Sequence, residues 1–383
     1  MVSNREKYKI LIAKHLVVEP EQVFLYWKGR VALYAILKSL NINNGDEIVL
    51  PGFTCVVVPN VIKYLNSKPV YVDIDSDTLN PCFNNVKNSV TSKTRVIIIQ
   101  NTFGLSSDVD KISEFAKENG IITIEDCTHG FGGTFKLKSN GSYCDASFYS
   151  TQWNKPFSTG IGGFAVINNK KLIPAIKKLN DELIRPSFFD ELGLFSLIMT
   201  HKILLHPRSY WLIRDFYRFL SSHGIVTGSS EKSELISISI PDKYFKGIGS
   251  VQAWLGRNRI ADINKKISTR KEYAKVYTRF LQEHGKLFVR EELFPDHSFL
   301  KYPIIVTDRD IFQARASKKH IPLGDWFLSP IHPVRANLEL WDIENGSIPV
   351  ASEISQYIVN LPTEGIEIRR VIDFMADEID MIR

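Results

Sequence analysis

Short runs of β-branched residues alternate with segments of helical apolar spacing from about residue 30 to residue 170. The strand-like runs are 47–50, 69–73, 95–100 and 121–125, and the helix-like segments are 31–40, 56–65 and 109–119. Parallel strands need long crossover connections, and helices in those connections cover both faces of the sheet. The pattern therefore predicts an α/β fold with a mainly parallel sheet between two layers of helices.

Polar side chains stand where three of these strands end. Asp73, Asn101 and Asp126 each close an apolar run. In open parallel sheets, ligands bind outside the carboxyl ends of the strands. We therefore expect the binding site at this edge of the sheet.

Lys155 is a candidate nucleophile further along the chain. Trp153 and Phe157 flank it, and the glycine-rich turn 160–163 follows. Desolvation by such neighbours lowers the pKa of a lysine, and Schiff-base chemistry needs the neutral amine. A solvated lysine in a loop between two strands is the alternative, and this segment alone leaves both interpretations open. The glycines fit either a simple hairpin or a close approach to a bound ring.

Asp126 ends a strand whose composition indicates burial, where a carboxylate is costly without a cationic partner. It is either the N-cap of a helix or the partner of a protonated ring nitrogen on a cofactor. His129 follows in the same segment and is a candidate for stacking on that ring or polarising it. A purely structural histidine is the alternative.

A phosphate site is predicted at residues 28–31, where a helix begins with Gly29 and Arg30. Glycine lets the backbone approach a ligand closely, and the N–H groups of a first helical turn bind anions. The hydroxyl of Ser150, ahead of Lys155, is a second candidate donor to the same phosphate. A phosphate cradle, a buried aspartate and a sheltered lysine are the three parts that hold pyridoxal 5′-phosphate.

Composition and charge argue against several classes of protein. The chain has 383 residues and a formal charge of +6 with acids and bases interleaved, which disfavours a nucleic-acid-binding surface. The four cysteines have no metal-ligand spacing and are too few for a disulfide framework, so we predict no metal site. The N-terminus lacks the apolar core of a signal peptide, and no apolar run is long enough to cross a membrane. We expect a cytoplasmic enzyme.

Two domains are predicted, a large one at 1–235 and a smaller α/β one at 236–383, which begins with a long helix at 250–281. Its further elements are predicted at 302–306 (strand), 311–319 and 350–360 (helices). The large domain carries a helical apolar insertion at about 184–235, in which residues 184–222 have wide apolar faces and several arginines. This insertion either packs against the body or a partner subunit, or forms a basic amphipathic surface that contacts a membrane or a lipid-linked substrate.

Several short motifs together resemble those of the DegT/StrS nucleotide-sugar aminotransferases, which are fold type I pyridoxal-phosphate enzymes of the aspartate aminotransferase superfamily. The motifs are GDEIVLPGFT at 45–54, PVYVDID at 69–75, IED at 124–126, KPFSTGIGG at 155–163, VQAWLG at 251–256, SPIHP at 329–333 and LPT at 361–363. The likeness covers roughly residues 24–183 and 244–383.

The resemblance implies a role for each candidate residue. Lys155 matches the lysine that bonds to the cofactor, and Asp126 matches the partner of the pyridine nitrogen. Ser150 and the backbone at 29–30 match the phosphate site. His129 stands where many members have a glutamine beside the cofactor ring.

The same resemblance implies a large domain with a seven-stranded sheet, a smaller C-terminal domain and a homodimer. It implies transfer of an amino group from an amino acid, L-glutamate, to a keto group of a nucleotide-linked deoxysugar, for surface polysaccharide or a related glycan. Lys155 argues against the family's sugar dehydratases, in which a histidine replaces the lysine. Two alternatives stay open: transfer to a non-nucleotide or lipid-linked carbonyl, with peripheral membrane contact through 184–222, and a cofactor-binding regulatory protein without turnover.

Three features depart from the family's pattern. Cys55 stands where an aromatic residue usually stacks on the pyridine ring. Lys246 stands near the place of an Asn-Tyr-Arg run that reaches the cofactor phosphate of the neighbouring subunit, and it is the candidate substitute for that run. The insertion is longer than the usual connection.

His332, in the motif at 329–333, is a candidate contact to the sugar or diphosphate of the acceptor.

Overall fold

The structure, a computed structural model, describes residues 2–204 and 232–383. The strands of this part are β1 Val23–Tyr26, β2 Glu47–Pro51, β3 Thr54–Cys55, β4 Lys68–Val72, β5 Thr94–Gln100, β6 Ile122–Asp126, β7 Thr134–Phe135, β8 Lys138–Ser139, β9 Ala146–Ser150, β10 Gly163–Ile167, β11 Tyr302–Ile305, β12 Ile331–His332 and β13 Ile358–Leu361. The α-helices are α1 Asn4–Leu16, α2 Gly29–Ser39, α3 Val57–Tyr64, α4 Phe83–Ser89, α5 Val109–Glu118, α6 Ile173–Asn180, α7 Phe188–Leu204, α8 Lys232–Ile236, α9 Ser250–Arg259, α10 Ile263–Glu283, α11 Arg309–Lys318, α12 Pro349–Tyr357 and α13 Ile368–Asp377.

The central sheet has seven strands in the order β1-β10-β9-β6-β5-β2-β4. The pairs β6/β9, β5/β6, β2/β5 and β2/β4 are parallel, and β10 runs antiparallel to both β9 and β1. The predicted mainly parallel, seven-stranded sheet is confirmed.

Alternate residues of β5 show why this sequence forms a sheet covered on both faces. Val96 and Ile98 belong to the core that α2, α3 and α6 close on one face, whereas Ile97 and Ile99 belong to the core under α4 and α5. All four side chains are buried. A strand between two helical layers needs an apolar residue at every position, and this run supplies them.

The C-terminal residues 274–382 contain a separate hydrophobic core between α10, α11, α13 and the strands β11 and β13. The prediction of a helix throughout 350–360 is wrong at its end, because the chain leaves α12 and forms β13, which pairs antiparallel with β11. Ile358 and Val359 are fully buried there. β-branched residues fill such a buried ladder well, and this tertiary contact overrides the helical spacing.

The long helix predicted at 250–281 is two helices, α9 and α10, separated by a tight turn at 260–262. Ile260 and Ile263 both pack into the core beside α1. The apolar spacing continues through the turn, so the sequence does not show the break. The domain boundary at 235/236 stays a prediction.

The apolar insertion begins with α7, whose inner face is buried and whose outer face is open. Leu194 and Ile198 pack against α9, while Phe188 and Phe189 are 73% and 80% exposed. The second apolar segment predicted there, 210–220, lies outside the described residues. Within the described residues, no helix is both long and apolar enough to cross a membrane.

Candidate active site

A cavity of about 260 Å³ lies at the carboxyl edge of the central sheet. Strands β5, β6 and β9 end at it, helix α2 begins at it, and residues of the segment 326–333 line it from the C-terminal part of the chain. The residues predicted from the sequence that line it are Gly29, Arg30, Asp126, His129, Ser150, Lys155 and His332. The fold therefore brings these candidates together in one place.

The N-terminus of α2 and the end of β9 meet at this cavity. Within the described residues, the side chain of the N-cap residue Lys28 makes no capping hydrogen bond to the helix. A Cβ on Gly29 would lie 2.9 Å from the Cβ of Ser150, and a Cβ on Gly163 would lie 2.3 Å from the Cα of Gly29. Because Gly29 and Gly163 have no side chains, the start of α2, the end of β9 and the start of β10 approach closely around the Ser150 hydroxyl. An uncapped helix N-terminus beside a hydroxyl is an anion site.

We expect Gly163→Ala to push α2 away from β10 and to disturb this anion site. The added methyl group meets backbone atoms, which cannot move aside as a flexible side chain can. The free energy of unfolding should fall by about 1–3 kcal/mol, and the affinity for pyridoxal 5′-phosphate should fall with it. Thermal unfolding and a cofactor titration measure the two effects. The control is Gly193→Ala on α7, where a Cβ meets nothing within 4 Å; equal losses in both variants would contradict the prediction.

The side chain of Arg30 forms a buried ion pair that sequence reasoning missed. Its partner is Glu234 of α8, and the two side chains are 5% and 1% exposed. Asn60 Nδ2 donates to the carbonyl oxygen of Glu234 at 2.8 Å, and the neighbouring Leu235 lines the cavity. A buried arginine needs an acidic partner, but no pattern in the sequence identifies one that lies 204 residues away. The end of the insertion therefore covers the Arg30 side of the cavity.

Two adjacent carboxyl groups of β6 have different surroundings. Asp126 lines the cavity, and its Oδ1 accepts a hydrogen bond from the backbone N–H of Thr128 at 2.9 Å. Burial raises the pKa of Asp126, while the bonds from Thr128 and the charge of Lys155 act in the opposite direction. Glu125 accepts a hydrogen bond from Asn101 Nδ2 at 3.1 Å, and burial raises its pKa to about 7.

Of the three polar residues expected at this edge of the sheet, Asp126 lines the cavity and the other two do not. Asn101 is fully buried in a hydrogen-bonded network with Glu125. Asp73 accepts hydrogen bonds from two backbone N–H groups in the first turn of α12. Asp73 follows β4 at the margin of the sheet, so its strand ends to one side of the cavity.

The turn that carries Lys155 is closed by hydrogen bonds at its base. The N–H of Thr159 donates to the carbonyl oxygen of Thr151 at 2.7 Å, and the two hydroxyls are also 2.7 Å apart. Gln252 of α9 is fully buried and donates to the carbonyl oxygen of Ile161. The glutamine of the VQAWLG motif therefore holds this turn from behind.

Lys155 itself is half-buried and points at an aromatic ring. Its Nζ lies 4.5 Å from the centroid of the Trp326 indole. Burial lowers the pKa of this amine to about 8, although Cys55 and Asp126 act to raise it. A minor but appreciable fraction of the amine is therefore neutral near physiological pH, far more than for an ordinary lysine.

The stability of the cofactor-free protein should depend on pH through Lys155. Its pKa is about 8 in the folded state against an ordinary 10.5, so the unfolded state binds more protons between these values and stability rises with pH across that window. We expect Lys155→Met to raise the melting temperature at neutral pH, with a gain that shrinks as the pH approaches 10.5. Thermal unfolding of both proteins against pH measures this. Lys275→Met, on a side chain 60% exposed, is the control, and a gain independent of pH would contradict the prediction.

His129 and His332 are neutral imidazoles in the cavity wall. Burial lowers the pKa of His129 well below its ordinary value and that of His332 to about 4. The backbone N–H groups of Phe103 and Leu328 donate to their Nδ1 atoms at 3.3 and 3.1 Å. Each ring therefore carries its proton on Nε2.

Trp326 is a lining residue that the sequence did not single out. Its indole stacks on the imidazole of His129 with ring centroids 4.6 Å apart and planes 3° apart. Cys55 also lines the cavity, where the short parallel ladder β3/β12 pairs it with His332. An aromatic ring thus reaches the cavity from the C-terminal part of the chain. The available signal was the closeness of Trp326 to the motif at 329–333.

Lys246 lies outside the cavity lining. Its Nζ pairs with Asp190 Oδ1 at 2.8 Å and lies 5.4 Å from the centroid of the Trp27 ring. Within one protomer the side chain is therefore bound to α7. A contact of Lys246 with a neighbouring subunit stays a prediction.

The family model of the DegT/DnrJ/EryC1/StrS aminotransferases matches residues 26–191 and 212–373, which is most of the chain. The chain belongs to the DegT/DnrJ/EryC1/StrS aminotransferase family. The resemblance inferred from the motifs is confirmed.

Two named aminotransferase relatives match shorter stretches of this chain. GDP-perosamine synthase of Escherichia coli O157:H7 is 37% identical over 144 residues, which are 38% of this chain and 40% of that protein. UDP-2-acetamido-2-deoxy-3-oxo-D-glucuronate aminotransferase of Pseudomonas aeruginosa is 34% identical over 152 residues, 39% of this chain and 42% of that protein. The matched stretches thus span less than half of each relative.

A solved structure extends the likeness to the whole fold. The aminotransferase TlmJ from Streptoalloteichus hindustanus superposes with a TM-score of 0.74 over 99% of this chain and 91% of that chain, at 19% identity. The predicted fold type I architecture is confirmed.

Proposed function

We propose that this family member uses pyridoxal 5′-phosphate to move an amino group from an amino acid to a keto group of a nucleotide-linked deoxysugar. The observation that carries the proposal is that Lys155 and Asp126 line one cavity with the uncapped N-terminus of α2. A partly neutral amine, a buried carboxylate and an anion site correspond to the aldehyde, the ring nitrogen and the phosphate of this cofactor.

The residues present fit the cofactor group by group. The backbone at 29–30 and the Ser150 hydroxyl would hold the phosphate, because the cradle between Gly29 and Gly163 has no room for a side chain. Asp126 would face the protonated ring nitrogen, which supplies the cation that a carboxylate only 4% exposed requires. Lys155 would bond to the aldehyde carbon.

Lys155 and Asp126 would divide the chemical work. When bound, pyridoxal phosphate withdraws electrons from the donor's α-carbon and makes its proton acidic. The donor's amine would replace Lys155 on the aldehyde carbon, and the released Nζ would then remove that proton, since its neutral form is well populated near pH 8. In the second half-reaction the same nitrogen delivers a proton to the acceptor carbon that receives the amine. Asp126 meanwhile keeps a proton on the ring nitrogen, and the rings of His129 and Trp326 help to exclude water.

The substrate class is proposed from the names of the relatives. One is named for a GDP-linked product and the other for a UDP-linked keto sugar. L-glutamate is the proposed donor, as the family resemblance implies. His332, in the C-terminal wall of the cavity, is the proposed contact to the sugar or diphosphate of the acceptor. A surface polysaccharide or related glycan is the proposed destination.

We further propose a cytoplasmic homodimer with peripheral membrane contact through residues 184–222. The support is the open face of α7, on which Phe188 and Phe189 are 73% and 80% exposed and Phe195 is 46% exposed. The same face favours a lipid-linked carbonyl as the second candidate acceptor. Flotation with liposomes of anionic phospholipid tests the membrane contact, and a protein that stays unbound would refute it.

The colour of the purified protein tests the proposed reaction. Bound pyridoxal phosphate in such enzymes absorbs at about 410–430 nm. Glutamate should remove this band, and one member of a panel of nucleotide-linked keto sugars should restore it. If neither glutamate nor other amino acids change the band, the chain is a cofactor-binding regulatory protein without turnover.

A further inference from the structure

A second lysine lies against the same indole as Lys155. Lys301 Nζ is 5.8 Å from the centroid of the Trp326 ring, and Lys155 Nζ is 4.5 Å from it. Burial lowers the pKa of both amines. Like charges held close together and away from bulk water destabilise one another. The surroundings of Trp326 therefore hold two positive charges.

Arg270 of α10 is a further positive charge, and it acts on Lys301. Its side chain is 1% exposed, and its Nη2 donates to the carbonyl oxygen of Pro156 at 3.2 Å and to Glu364 Oε1 at 2.8 Å. The remaining groups, Nε and Nη1, are buried and have no hydrogen-bond partner among the described residues. Next to burial itself, Arg270 is the largest cause that lowers the pKa of Lys301.

The two acids whose charges act on Lys301 form no ion pair with it in the described part of the chain. Glu364 is 41% exposed and pairs with Arg270. Asp325 is exposed to solvent. Both act to raise the pKa of Lys301, yet the shift stays downward, and within residues 2–204 and 232–383 no ion pair joins either acid to Lys301. A desolvated cation without a bound acid is costly, and an anionic ligand would remove that cost.

We propose that Lys301 binds a carboxylate of the amino-acid donor, with Arg270 as a positioning residue behind it. Lys301 keeps part of its surface accessible, whereas the unpaired groups of Arg270 are closed off. The donor must bring its α-carbon to Lys155 Nζ, and its α-carboxylate is attached directly to that carbon. Lys301 is not among the residues that line the cavity, but Trp326 is, and the amines of Lys301 and Lys155 lie 5.8 and 4.5 Å from the centroid of its ring. Lys301 is therefore a cation beside the wall that a donor held at Lys155 would touch. This inference rests on the proposed function.

Glutarate tests the site without turnover, because it has both carboxylates of glutamate and no amine. Calorimetric titration of the holoenzyme at neutral pH should show that Lys301→Met weakens glutarate binding on the order of ten- to a hundredfold, the loss of one charge-assisted hydrogen bond. Lys301→Arg should restore most of the affinity. Lys275→Met, on the exposed side of α10, should bind as the wild type does.

Kinetics of the first half-reaction separate positioning from chemistry. Lys301→Met should raise the KM for glutamate by a similar factor and change the limiting rate less, because Lys155 is intact. Unchanged glutarate affinity in a folded Lys301→Met protein overturns the proposal. If Lys301→Met does not fold, Lys301→Gln takes its place.

The two proposals fail in different ways. If glutarate binds through Lys301 but glutamate leaves the cofactor band unchanged, the aminotransferase function fails and the carboxylate site stands. If glutamate converts the band equally well in the wild type and in Lys301→Met, with equal KM, the carboxylate site fails and the function stands.

Discussion

Replacing Lys155 by alanine is expected to lower the rate of amino transfer by at least about 10³-fold, because one substitution removes both the bond to the cofactor and the proton-transferring amine. The fold should persist, since the turn around Lys155 is closed by the Thr151–Thr159 pair rather than by the lysine. Steady-state kinetics with glutamate and a nucleotide-linked keto sugar measure the loss.

Covalent retention of the cofactor is the matched measurement. After borohydride reduction, intact-protein mass should show the cofactor on the wild type and not on Lys155→Ala, while noncovalent cofactor stays at the phosphate site around Ser150. Lys275→Ala, whose side chain is 60% exposed, should behave as the wild type. A Lys155→Ala protein that still fixes the cofactor would assign this role to another lysine, and Lys301 would be the first to examine because it contacts the same indole.

Elements buried on two faces could be predicted from the sequence, because their own residues determine them. The strand expected at 95–100 is Thr94–Gln100, and the helix expected at 109–119 is Val109–Glu118. Elements whose structure depends on pairing with a distant segment could not be predicted. The end of the helix predicted at 350–360 becomes a strand because β11 is available to pair with it.

The same distinction applies to the site. Asp126 follows its own strand and Lys155 its own turn, so local motifs placed both at the cavity. Trp326 reaches the cavity, and Glu234 reaches Arg30, from segments that are distant in the sequence. No local pattern indicates that Glu234 pairs with a buried arginine or that Trp326 stacks on His129. Long-range partners of buried charges are set by the tertiary fold, and a single sequence leaves them undetermined.

Asp126→Asn is expected to lower kcat/KM by about 10²- to 10³-fold while leaving the fold intact, a loss typical of removing one buried electrostatic contact. Asparagine keeps the shape and the acceptor for the Thr128 N–H, but it lacks the charge that holds a proton on a ring nitrogen. Without that charge, removal of the donor's α-proton by Lys155 becomes slow. Asp126 also raises the pKa of Lys155, so the pKa of this amine should fall further and the rise of rate with pH should move to lower pH.

Glu125→Gln is the control that separates charge at the cavity from damage to β6. Glu125 is fully buried, it contacts Asn101 rather than the cavity, and burial already raises its pKa to about 7. Glutamine resembles its protonated form, so activity and melting temperature should stay near those of the wild type. Equal losses in both variants would mean that the strand, and not the carboxylate of Asp126, had been disturbed. Suppose that only Asp126→Asn loses activity, and that it keeps its melting temperature while its rate profile moves to lower pH. That result requires the charge of Asp126 to act on Lys155 within the cavity.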